Sequence, residues 1–162
     1  MTKNNCLLML VLAIALICSP IKKTGAQSVI LGNFELSKLS ILSKSVSHEF
    51  SIEIARTERQ QRQGLMFRRS LARNAGMLFL YPVAKVLKMW MKNTYLPLDM
   101  LFIAADGRIV HIVQRAVPGS LETISSGEVA KAILEVNGGT ISRLKIKRGD
   151  RVKHPAFGSS RH

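Results

Sequence analysis

The hydrophobic pattern of the chain predicts mostly strands, some alternating with a period of two and some short continuous apolar runs. In HEFSIEIA, Phe50, Ile52 and Ile54 alternate with Glu49, Ser51 and Glu53, as a strand with one buried face requires. Thr57 followed three residues later by Gln60 forms a capping-box pattern, so TERQQRQ predicts a short helix stopped by Gly64. GMLFLY predicts a short buried strand closed by Pro82, and KMWMKN a strand with Lys88, Trp90 and Lys92 on the face opposite Met89 and Met91. DMLFIAADGRIVHIVQRA reads as a hairpin, two β-rich runs joined around Asp106-Gly107. AILEV is a further core strand, after which Asn137-Gly138-Gly139 mark a turn and Thr140 caps a helical turn through Leu144. Gly149-Asp150 lead into a last strand at Arg151 to Lys153. Residues 27–47 are serine-rich without a clear period and read as an exposed lead-in that adds at most an edge strand. Together these elements predict one α+β domain over residues 48–154, β-rich, with a strongly bent or barrel-like mixed sheet and one or two short helices. Residues 155–162 read as a C-terminal tail.

The N-terminus changes which residues count. CLLMLVLAIALIC, Cys6 to Cys18, is an apolar run behind Lys3, and Pro20 and the small-residue stretch TGAQ follow it. That is the pattern of a secretory signal and is shorter than the roughly 20 residues a spanning helix needs. Residues 1–26 are therefore expected to be a signal peptide cleaved after Ala26; an uncleaved anchor is the rival, because Lys22 and Lys23 weaken the cleavage signal. Removing the first 26 of the 162 residues leaves 136, enough for one domain with its own core. Both cysteines lie in the removed segment, so the mature chain is expected to lack a disulfide, a thiol nucleophile and a thiolate metal site. The expected location is extracytoplasmic, periplasmic or secreted.

Charge narrows the partners. Loss of Lys3, Lys22 and Lys23 takes the formal charge from +14 to +11, still strongly basic. Such a field suits an anionic or polar envelope ligand, and peripheral contact with an anionic membrane surface is a further expectation. Nucleic acid is not expected of a secreted chain, and the aromatic interleaving of single-strand binders is missing from its sequence.

Several words then stand in one order: EIARTERQQRQGLMFRRSL, GMLFLY, WMKNTYLPLDMLFIAADGRIV and ILEVNGGTISRLKIKRGDRV. Over roughly Glu49 to Lys153 the chain resembles the prokaryotic family called domain of unknown function 192. The resemblance implies a small α+β domain with a barrel-like sheet, often secreted, and no established biochemical role. Asn74 stands where that pattern has an aspartate, and Met89 where it has an aromatic residue.

Candidate chemistry gathers in WMKNTYLPLDM. Arg62, Lys92, Asn93, Thr94 and Asp99 form a candidate ligand-binding set. In it Arg62 and Lys92 hold a negative group, Asn93 and Thr94 orient it, and Asp99 fixes Lys92. The same residues also admit a structural arrangement, with Lys92 and Asp99 paired across the Pro97 turn and Asn93 and Thr94 bonded to local backbone. Joined by Glu53 and Glu135, they allow an envelope hydrolase with Asp99 or Glu135 as base. Nucleophile-elbow, phosphate-loop and zinc-helix signatures are absent, and His48, His111, His154 and His162 are far apart. No cofactor is expected. A third alternative is Cu(I) binding through Met89 and Met91, whose soft thioethers a strand would send to one face, although methionine is equally a flexible core filler. The favoured reading is an extracytoplasmic binding module without catalysis.

Overall fold

The computed structural model describes residues 33–158. The expected signal peptide and its cleavage site lie outside the described residues. Seven strands form one mixed sheet: β1 (Glu35–Ser43), β2 (Val46–Ala55), β3 (Ala75–Met89), β4 (Leu98–Ile103), β5 (Ile109–Ala116), β6 (Ile124–Asn137) and β7 (Arg151–Lys153). Helices α1 (Glu58–Gln63) and α2 (Thr140–Leu144) complete the element list. The order across the sheet is β5-β4-β6-β3-β2-β1-β7, parallel only between β2 and β3. At the two ends, an isolated Arg108–Arg151 bridge and the bonds Ile109 N to Asp150 O (2.9 Å) and Val152 N to Gly107 O (2.8 Å) stitch β5 to β7. The sheet is thus curled into a half-barrel whose two end strands meet at this short seam. Gly107 makes this seam feasible: it has φ +83°, and a Cβ there would stand 2.5 Å from the Val152 carbonyl oxygen.

Alternation assigns each central strand to two apolar layers. Ile52, Leu78, Leu101, Ile103, Leu134 and Val136 point to one layer, which Ile141 of α2 and Val152 of β7 close. Met77, Phe79, Met100, Phe102 and Ile133 point to the other, covered by Leu65, Leu87 and Met91. β4 is buried on both faces, which explains its nearly unbroken apolar sequence. Burying each such side chain contributes about 1.5 to 3 kcal/mol.

Three sequence expectations change. The lead-in supplies β1, which lies between β2 and β7 with Leu39 and Ile41 buried; Ser37 and Ser43 share that inward face while Leu36 stands exposed, which masked the period. Pro82 does not close β3. The β3–β6 register shifts between Leu80 and Lys85, so the residue that lacks an N–H sits in the irregularity and pairing resumes beyond it. The strand ends at Met89, so Trp90 to Asn93 form a turn in place of the predicted strand continuation. The capping box forms as the sequence predicts: Gln60 N donates to Thr57 Oγ1 (3.2 Å), and Thr57 N donates to Gln60 Oε1 (3.0 Å). In the predicted tail, Phe157 is buried in the first layer, and Ala156 N donates to His154 Nδ1 (3.1 Å).

Candidate functional site

A cleft of about 320 Å³ opens beside α1 on the side of the second apolar layer. Glu58, Gln61 and Arg62 of α1 line one wall, and Phe79, Tyr81, Lys88 and Met89 of β3 another. Trp90 and Thr94 come from the turn after β3, and Glu135 from β6. The length of α1 follows from its capping box and Gly64, so Arg62 in its last turn reaches the rim. There Arg62 Nη1 pairs with Glu58 Oε2 at 3.2 Å, a solvent-exposed i,i+4 contact worth about 0.3 to 0.5 kcal/mol that a ligand can displace. Lys88 adds a second exposed cation.

Glu135 is the unusual group. Its cross-strand neighbours are Met77 on β3 and Met100 on β4, both fully buried, and Glu135 itself is 4% exposed. Apolar surroundings disfavour the ionised form, and burial raises its pKa to about 8, so the carboxyl is protonated at neutral pH. Tyr81, on the same cleft, has its pKa raised by burial and then by the Glu135 charge. At neutral pH the cleft therefore combines Arg62 and Lys88 with two uncharged hydrogen-bonding groups, Glu135 carboxyl and Tyr81 hydroxyl. Placing Glu135 there needs close strands: a Cβ at Gly76 would lie 2.5 Å from the Glu135 carbonyl oxygen.

The structure divides the predicted set. Arg62 and Thr94 line the cleft; Lys92, Asn93 and Asp99 do not. Asp99 is fully buried, and its Oδ1 accepts from Arg115 N (2.8 Å) and Gly139 N (3.1 Å), its Oδ2 from Ile141 N (2.9 Å). It joins β5 and the start of α2 to β4, a helix-capping role that Thr140 does not fill. This corrects the expectation that Asp99 fixes Lys92. Lys92 is exposed, and its Nζ lies 5.3 Å from the centre of the Trp90 ring. Asp99 is also unsuited as a hydrolytic base, because both oxygens already accept backbone bonds. It shares its face with Leu101 and Ile103, whereas Glu135 shares the opposite face with Ile133, so the two carboxyl groups do not meet. Glu53 is engaged elsewhere, in a two-pronged ion pair with Arg68 (Oε2 to Nη2, 2.6 Å).

WMKNTYLPLDM thus splits by direction. Met91, Thr94, Leu98, Asp99 and Met100 face inward, while Trp90, Lys92, Asn93 and Tyr95 face solvent. Thr94 Oγ1 donates to the Lys92 carbonyl (3.3 Å) and Gly119 N to those of Met91 and Thr94 (3.1 Å each), so the turn is pinned from within. Met91 is fully buried in the second layer, where it serves packing, and Met89 is half-buried on the cleft wall. Among the described residues no three His, Asp or Glu side chains converge as a metal-binding group. Tyr81 and Lys88 were both placed in predicted strands, but nothing in the sequence pattern shows that the two strand segments face one cleft. The signal for Glu135 was visible, a carboxyl inside the otherwise apolar AILEV.

No curated protein matches the chain. Among solved structures it is similar to a Sinorhizobium meliloti protein provisionally described as a transcription regulator, with 42% identity, TM-score 0.76, and 77% of this chain and 98% of that chain covered. It is likewise similar to a protein of unknown function from Novosphingobium aromaticivorans, with 37% identity, TM-score 0.73, and 75% and 86% covered. The sequence model of domain of unknown function 192, described as "Uncharacterized ACR", matches residues 40–154. With the greater part of its length matched and the curled sheet in place, this chain belongs to the domain of unknown function 192 family.

Proposed function

We propose that the domain is an extracytoplasmic, non-catalytic binding module that takes an anionic or polar ligand into the cleft beside α1. The observation that carries this reading is the pairing of a cationic rim, Arg62 and Lys88, with an uncharged hydrogen-bonding interior, Glu135 and Tyr81. The rim attracts a negative group, and the interior hydrogen-bonds hydroxyls or carbonyls without repelling it. Extracytoplasmic placement rests on the apolar run at Cys6 to Cys18. The test is thermal unfolding with monomeric sugar acids beside their neutral parent sugars. An acid that raises the melting temperature where its parent does not, with the rise abolished in the Arg62→Ala, Lys88→Ala double variant, supports the reading. Equal shifts with acids and parents, or none, would overturn it.

Glu135 favours one second reading. A carboxyl with its pKa raised to about 8 at a cleft has the protonation state of a general acid at neutral pH. A hydrolase would then lose turnover in Glu135→Gln, whereas a binding module would keep its affinity, because the amide replaces a neutral acid of the same shape. The transcription-regulator description of the Sinorhizobium meliloti protein is not carried over, since the described helices here have six and five residues, too short for a groove-reading helix.

A further inference from the structure

Beyond the cleft, two loops build a surface that the packing of the domain does not use. Phe67 N donates to the Asn93 carbonyl at 2.9 Å and so clips the segment after α1 to the turn after β3. Three aromatic rings are exposed on these segments: Phe67 (43%), Trp90 (48%) and Tyr95 (53%). Phe67 and Tyr95 meet edge to face with centroids 6.2 Å apart. Trp90 and Tyr95 each have a cation at the ring, Lys92 at 5.3 Å and Arg69 at 5.9 Å.

The backbone under Phe67 gives an independent reason to regard this face as built. Phe67 has φ +64°, a left-handed conformation that is an outlier for a bulky residue. Its ring recovers little burial for that cost, since it stands half in solvent. The conformation is held from below: Arg68, next in sequence, makes the two-pronged pair with Glu53 and lies over the Phe34 ring. The rings and cations are therefore arranged before any ligand arrives, which lowers the ordering cost of binding.

We infer that this face extends the cleft into a groove for a chain of carboxylate-bearing sugars, with one unit in the cleft and its neighbours lying across Trp90, Tyr95 and Phe67. A pyranose offers an apolar C–H face to an aromatic ring and, in a uronic acid, a carboxylate at its edge, so a ring with an adjacent cation matches both features. Trp90 lines the cleft, as do Met66 and Thr94, the residues directly before Phe67 and Tyr95, so the exposed rings begin where the cleft lining ends. Glu58 at the rim is matched by Arg62, Lys88 remains as a rim cation, and Lys92 and Arg69 beside the exposed rings keep the path positive. The inference rests on the binding reading of the cleft and adds the class and length of the ligand.

Trp90 is the only tryptophan of the chain, so its emission reports on this groove directly. The experiment titrates the full-length chain with galacturonic acid, an oligogalacturonide and the methyl ester of that oligomer. We expect the oligomer to bind about tenfold or more tightly than the monomer, with a change in Trp90 emission that the ester does not produce. Phe67→Asn with Tyr95→Ser should bring the oligomer down to the monomer's affinity and leave monomer binding unchanged. Asparagine tolerates the left-handed conformation, so the Phe67 variant removes the ring without disturbing the turn. An oligomer no tighter than the monomer, or one unaffected by those substitutions, overturns the groove and leaves the cleft reading intact. Failure of both acids would remove the cleft reading as well. Stronger binding of an oligothymidylate or of phosphatidylglycerol vesicles than of the oligouronide, through the same residues, would assign the face to nucleic acid or membrane and overturn the inference.

Discussion

Glu135→Gln is the substitution whose effect follows most directly from the structure. The carboxyl lies between Met77 and Met100 on neighbouring strands, and burial raises its pKa from 4.5 to about 8. Between those two values the folded chain holds a proton that the unfolded chain has released. Stability from this group is therefore fully present below about pH 4.5 and is lost as pH rises through about 8, with a slope near 1.4 kcal/mol per pH unit. Across the whole window that amounts to about 5 kcal/mol, a large part of the stability of a small domain. Glutamine has the shape and neutrality of the protonated acid and cannot ionise. The variant should match the wild type at about pH 4 and exceed it by several kcal/mol at about pH 9. Urea unfolding of both proteins over this pH range measures the difference directly. A difference that stays below about 1 kcal/mol at high pH, or one that is the same at both ends, would refute the claim that Glu135 is held neutral by its methionine neighbours.

Two other expectations test the scaffold. Asp99→Ala strands the N–H groups of Arg115, Gly139 and Ile141 inside the fold and should cost about 3 kcal/mol or more, whereas Lys92→Ala should stay within about 0.5 kcal/mol. Denaturation of both singles and the double should give a coupling energy near zero; strong coupling would restore the Lys92–Asp99 pair. Glu53→Ala leaves the mostly buried Arg68 guanidinium without its carboxylate and should cost about 2 to 4 kcal/mol. Hydrogen exchange should then rise first in the segment around Phe67, and unchanged protection there would disprove that the Glu53–Arg68 pair holds it.

The chain stated much of its own fold. Alternation in HEFSIEIA produces a strand because each face of a pleated strand meets one environment, the apolar runs around Asp106-Gly107 produce a hairpin, and the Thr57–Gln60 spacing produces a capping box because both groups are within reach locally. Such features depend on neighbours in sequence and so were legible there. The β1 pattern and the passage of β3 through Pro82 were not: β1 gains its place between β2 and the distant β7, β3 pairs with the distant β6, and a proline is tolerated only where the ladder already shifts.

The site divides along the same physical line. Sequence alone put Arg62, Thr94 and Glu135 among the candidate polar groups and singled out WMKNTYLPLDM as a segment where polar and apolar residues mix. Only the tertiary structure decided where each side chain points. A one-residue offset in register, Asp99 opposite Val136 and not Glu135, sends the two carboxyl groups to opposite faces, so they never share a site. Asp99 meets backbone N–H groups from two distant elements and becomes scaffold, whereas Glu135 meets two methionines and a cleft and stays protonated. Residue identity sets which chemistry is available, but burial and partners set the charge state and direction, and both come from chain segments that sequence separation hides.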